Sequence, residues 1–103
     1  MAKMTAIYKI PKDIESFDKH YFEIHIPLAK KLPGLLKYEI SDGAIMSTTG
    51  RESYRVAHLY FDSLESIKNA FGSEVGKQCA ADRKILAPNS EDVQIYLYDT
   101  KDT

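Results

Sequence analysis

Tyr54-Arg55-Val56-Ala57-His58-Leu59-Tyr60-Phe61 alternates without a break. In an extended strand successive side chains point to opposite faces. Tyr54, Val56, His58 and Tyr60 therefore share one face, and Arg55, Ala57, Leu59 and Phe61 the other. Asp62 and Glu65 follow as a D-x-x-E capping box, a signature of a helix start, with Leu64, Ile67 and Phe71 on the buried side of that helix.

Working upstream, Met46 to Ser53 is polar and contains Gly50, which reads as an exposed loop. Leu36, Tyr38 and Ile40 alternate with Lys37, Glu39 and Ser41, a second strand. Leu32-Pro33-Gly34-Leu35 stops the helix before it, where Ile14, Phe17, Tyr21, Ile24, Leu28 and Leu32 recur at spacings of three and four. Pro27 lies inside that stripe. It lacks a backbone donor and is expected to kink or locally break the helix, freeing a carbonyl near Glu23. Asp13 is a good N-cap, and Met4 to Ile10 alternates as a first strand. Downstream, Gly72 ends or bends the second helix, Glu74 to Leu86 forms a further helical piece, and Val93 to Tyr98 is the last strand. The order is β-α-β-β-α-β. This is the α+β, ferredoxin-like pattern, with one four-stranded antiparallel sheet and its helices on one face.

The chain of 103 residues is expected to form a single domain, 1–103. It is 44% hydrophobic and 28% charged, which suits a globular protein. A formal net charge of −1 builds no positive field for nucleic acid or an anionic membrane. No apolar run approaches signal-peptide or membrane-span length, so the expected location is cytoplasmic. Cys79 is the only cysteine, which leaves no intrachain disulfide and no cysteine-rich metal site; it reads as a small core residue. The carboxylates are scattered, no metal site is expected, and Arg51, Arg55 and Arg83 have no acidic partner in a motif. The strands carry apolar and aromatic residues on both faces. Helices cover one, and a face of that size is not left wet, so a second copy is expected to cover the other in a symmetric homodimer.

Phe17-Asp18-Lys19-His20-Tyr21, His25-Ile26-Pro27-Leu28-Ala29 and Pro33-Gly34-Leu35 resemble, in order and spacing, the signature of the EthD family, named for ethyl tert-butyl ether degradation. The resemblance runs from Tyr8 to Tyr98, with its specific part in this stretch. It implies a dimeric α+β barrel. The wider superfamily includes cofactor-independent monooxygenases, cyclases, isomerases, decarboxylases and haem-linked enzymes, and the family is commonly described as oxidoreductase.

Histidine is the side chain most readily used as an acid or base near neutral pH. At about 100° per residue, His25 lies roughly 50° from the centre of the helix stripe and His20 roughly 90° away on the other flank. His25 is thus directed toward the sheet and His20 toward solvent. Their five-residue separation differs from the i, i+4 spacing of a helical metal pair. His58 lies mid-strand and needs a partner if buried: either it forms a cross-strand pair at an interface or it walls a cavity. Six of the seven tyrosines, Tyr8, Tyr38, Tyr54, Tyr60, Tyr96 and Tyr98, fall on strands, with Tyr21 on the first helix. Such a set suits either a pocket for a flat, partly polar molecule or a wet interface. The expected site has His25 as catalytic acid or base and Tyr8, Tyr21, His58 and Tyr96 as substrate-binding residues. Its chemistry needs no cofactor: oxygenation, dehydration, decarboxylation or isomerisation of a small aromatic or carbonyl compound. The alternatives are a non-catalytic small-molecule binding or accessory protein serving an oxygenase, and a structural dimer without a pocket.

Overall fold

In the computed structural model, which describes residues 1–103, the chain runs β1 (Ala2–Tyr8), α1 (Ile14–His20), a π-helical turn (Tyr21–His25), α2 (Ile26–Ala29), β2 (Lys37–Ile40), β3 (Arg55–Phe61), α3 (Leu64–Gly72), α4 (Glu74–Leu86), a 3-10 turn (Ser90–Asp92) and β4 (Val93–Asp99). The four strands form one antiparallel sheet in the order β2-β3-β1-β4. This is the ferredoxin-like arrangement read from the sequence. No helix is long and apolar enough to cross a membrane.

β1 begins two residues earlier than expected because it is a central strand. Ala2 pairs with Phe61 on one side and Asp99 on the other, so both neighbours zip the N-terminus in place. The pleat puts Ala2, Met4, Ala6 and Tyr8 of β1 with Ala57, Leu59 and Phe61 of β3 under the helices. There they meet Phe17, Tyr21, Leu32, Ile67 and Cys79 in one buried core. The other face carries Thr5, Ile7, Val56, His58, Tyr60, Tyr96 and Tyr98, and Tyr96 remains 51% exposed.

The helix starting after β3 is capped by Ser63 rather than by the expected Asp62: the Ser63 hydroxyl accepts from the Ser66 N–H. Ser73 then caps α4 in the same way, accepting from the Gly76 N–H. Between α3 and α4 the backbones come so close that a Cβ on Gly76 would overlap the Ala70 carbonyl oxygen and the Phe71 Cα. At the exit from α2, Gly34 takes φ +79°, a left-handed conformation that glycine adopts without steric cost.

Pro27 neither breaks nor sharply ends the first helix. His20, His25 and Ile26 all keep right-handed helical dihedrals, and the Ile26 N–H reaches the Tyr21 carbonyl five residues back. The cause is local. Proline offers no N–H to the Glu23 carbonyl, and its ring crowds that oxygen. The turn before it widens into an i→i+5 bulge, and the helix continues.

Candidate active site

That wide turn decides which side chains meet. Five residues of ordinary α-helix would leave His20 and His25 about 140° apart, whereas an i→i+5 turn brings such a pair onto one side. Both histidines reach Asp82 of α4: His20 Nε2 lies 2.8 Å from Oδ1 and His25 Nδ1 2.9 Å from Oδ2. His20 is therefore held by a carboxylate rather than turned to water, and its side chain is only 23% exposed.

A carboxylate only accepts, so each nitrogen facing Asp82 donates. This fixes both neutral tautomers. His20 carries its proton on Nε2 and keeps Nδ1 as a free acceptor; His25 carries its proton on Nδ1 and keeps Nε2 free. A carboxylate orienting an imidazole in this way is the positioning logic of catalytic triads and of histidine metal ligands. Burial holds the His25 imidazole below its ordinary range, outweighing the hydrogen bond and charge of Asp82, which act in the opposite direction.

Around His25 the core is aromatic. Tyr21 is fully buried and stacks on it with ring centroids 5.4 Å apart. The Tyr21 hydroxyl lies 2.8 Å from that of Tyr38. Tyr8 meets Tyr21 edge to face at 5.8 Å. Burial raises all three phenols, Tyr38 to about 12, so each stays protonated, and one of the Tyr21 and Tyr38 hydroxyls donates to the other. The Tyr8 hydroxyl has no hydrogen-bond partner in the protein.

Two spaces adjoin this cluster. An inner cavity of about 10 Å³, room for roughly one water molecule, is lined by Tyr8, Tyr21, His25, Tyr38, Cys79 and Arg83 among others. A groove of about 610 Å³ runs outside it, past Tyr8, Ile10, Phe17, His20, Leu86 and Pro88. Tyr8 lines both.

Of the residues expected at the site, Tyr8, Tyr21 and His25 come together. His58 and Tyr96 do not join them: both lie on the opposite face of the sheet, because the pleat separates them from Tyr8. His58 instead makes a cross-strand pair, its Nδ1 lying 3.0 Å from Thr5 Oγ1, which also meets the Tyr98 hydroxyl at 2.8 Å. Arg55, read as lacking a partner, bonds Asp18 at 3.0 Å. Its guanidinium lies 4.6 Å from the Tyr21 ring centroid and 4.8 Å from that of Phe22. Asp82 was missed altogether. Its signal lay in α4, where Val75, Cys79, Asp82 and Leu86 follow a helical stripe, so one charged residue occupies a core-facing position.

A model of the EthD domain matches residues 11–87. A protein of Rhodococcus erythropolis, described as an uncharacterized 11.0 kDa protein in the thcB-thcC intergenic region, is 32% identical over 82 residues, 80% of each chain. The crystal structure of an ethyl tert-butyl ether degradation family protein from Bacillus halodurans superposes with a TM-score of 0.88 at 29% identity, covering 98% of this chain and 99% of that one. SnoaB, a cofactor-independent oxygenase from Streptomyces nogalater, gives 0.69 at 12% identity over 99% and 94% of the two chains. A dimeric protein of ferredoxin-like fold from Bacteroides fragilis gives 0.64 at 22% identity over 96% and 95%. The last two likenesses concern the fold alone.

Proposed function

The chain belongs to the EthD family, and from that premise we propose that it is a small-molecule enzyme whose acid–base group is His25. The observation that carries this reading is the Asp82 bridge, which orients His25 and leaves Nε2 as a free base in a cavity lined by Tyr8 and the paired Tyr21 and Tyr38 hydroxyls. Burial favours the neutral imidazole at pH 7, the form that accepts a proton. Tyr8, with its unclaimed hydroxyl, donates to a substrate oxygen and stabilises the anion as it forms. The substrate is a small aromatic or carbonyl compound with an acidic hydroxyl or an acidic carbon. Once deprotonated, such a molecule isomerises, loses a leaving group or reacts with dioxygen, the last being the course of cofactor-independent oxygenases. A binding or accessory role is favoured by one observation: the inner cavity admits nothing larger than a water-sized group.

The homodimer belongs to the same proposal. A second copy packs its sheet on the face bearing Ile7, Val56, Tyr96 and Tyr98, as the dimeric description of the Bacteroides relative supports. His58 and Tyr96 then serve that interface.

The test is turnover of a panel of hydroxylated aromatic compounds and 1,3-dicarbonyls in air, followed by absorbance and oxygen uptake. Wild type is expected to convert at least one compound. His25→Ala should bind it unchanged but turn it over about 10²–10⁴-fold more slowly. Binding by both proteins without turnover by either would support the accessory reading. Turnover by His25→Ala at the wild-type rate would exclude His25 as the base.

A further inference from the structure

The groove beside His20 is large enough for an organic molecule, since ligand sites usually span about 300–1,000 Å³ and this one has about 610 Å³. Its inner wall is apolar and aromatic, formed by Tyr8, Phe17 and Leu86, with Ile10 and Pro88 toward the rim. The charges lining it are mixed, Lys9 and Lys12 against Asp13, Glu52 and Asp92, so no net field selects a strongly charged ligand. Two of its polar groups lie next to the Asp82 cluster and are left for recognition. His20 lines the groove with Nε2 committed to Asp82 and Nδ1 free to accept. The Tyr8 hydroxyl is free to donate. An acceptor and a donor beside the aromatic inner wall, with the charges around them balanced, match a neutral, weakly acidic hydroxyl on a flat ring.

Resting on the reading of the Asp82 cluster as an acid–base site, we propose that the groove binds a hydroxy-aromatic molecule whose hydroxyl proton His20 accepts at Nδ1. In that step the substrate O–H bond breaks and an N–H bond forms on His20. The electron pair stays on the phenolic oxygen, which the Tyr8 hydroxyl receives. The Asp82 carboxylate accepts from Nε2 at 2.8 Å and steadies the imidazolium, acting as a positioning residue.

The probes are 7-hydroxycoumarin and its methyl ether, 7-methoxycoumarin, which keeps the rings but has no proton to give. Fluorescence titration reads affinity and distinguishes phenol from phenolate. Wild type is expected to bind the hydroxy probe at least tenfold more tightly than the ether and to raise its phenolate fraction. His20→Gln, which keeps an N–H donor for Asp82 but has no basic nitrogen, should lose both effects and bind the ether unchanged. Ile85→Trp, at an exposed groove position, should weaken both probes. Equal affinity of wild type for the two probes, no binding of either, or an unchanged phenolate fraction in His20→Gln would overturn the proposal. His25→Ala should retain probe binding. Its turnover tests the base assignment separately, so failure of one reading is distinguishable from failure of the other.

Discussion

His20 and His25 stand five residues apart and meet the two oxygens of one carboxylate, at 2.8 and 2.9 Å. The contact exists because the helix between them is one π turn wide. It joins the surface groove, lined by His20, to the inner cavity, lined by His25.

Replacing Asp82 with asparagine keeps the shape and removes the shared acceptor. The amide offers one oxygen to accept and one nitrogen that must donate, so one histidine loses its partner or changes tautomer. Hydrogen bonds to charged groups contribute about 1.5–3 kcal/mol. Asp82→Asn is expected to lose stability in that range in urea unfolding at pH 7.5; unchanged stability would mean the bridge is not formed in solution.

Acid is expected to destabilise the fold through His25. Its imidazole is held below the ordinary value of 6.5, so below about pH 6.5 the unfolded chain binds this proton more readily than the folded one. Stability therefore falls as pH drops from about 6.5, by up to about 1.4 kcal/mol per pH unit for one group, and the loss levels off below the folded-state value. Burial depresses His58 in the same direction. His25→Gln should fall less steeply than wild type between pH 7.5 and 5; identical slopes would contradict the assignment.

The approach of α3 to α4 leaves no room at Gly76. Gly76→Ala must push the Ala70 and Phe71 backbone aside, and forced overpacking usually costs about 1–3 kcal/mol. Thermal and urea unfolding should show a loss in this range, whereas a neutral result would place the two helices farther apart.

Arg55 is held by aromatic rings more than by charge. Its side chain is 10% exposed, while that of its partner Asp18 is 34% exposed and can rehydrate. A desolvated cation over aromatic faces is worth about 2 kcal/mol, a partly exposed ion pair about 1 or less. Arg55→Met should therefore cost more stability than Asp18→Asn; the reverse order would make the ion pair the dominant contact.

Much of the fold was legible because period-two and period-three-to-four patterns are local. The alternation from Tyr54 to Phe61 and the break at Gly72-Ser73 translate directly into β3 and the α3–α4 junction. Pro27 was legible as a disturbance, but its form was not. A widened turn and a broken helix both leave the Glu23 carbonyl without its usual donor, and packing chooses between them. The site was harder to read because its organising residue lies 57 positions from His25; chain spacing says nothing about such a meeting. Strand parity alone did not separate His58 and Tyr96 from Tyr8, because the three lie on different strands; only the register, which sets Thr5 opposite both His58 and Tyr96, puts them on the face away from Tyr8. The tyrosines divide accordingly. Tyr8, Tyr21 and Tyr38 gather at the inner cavity, and Tyr60, Tyr96 and Tyr98 lie on the open face of the sheet.

The most direct test of the central claim is the tautomeric state of His25, read from long-range proton–nitrogen NMR correlations of the imidazoles at pH 7.5. An Asp82-held ring is expected to be neutral, protonated at Nδ1 and unprotonated at Nε2, and to lose this pattern in Asp82→Asn. A His25 protonated at Nε2, or one whose signals are the same with and without the Asp82 carboxylate, would contradict the account.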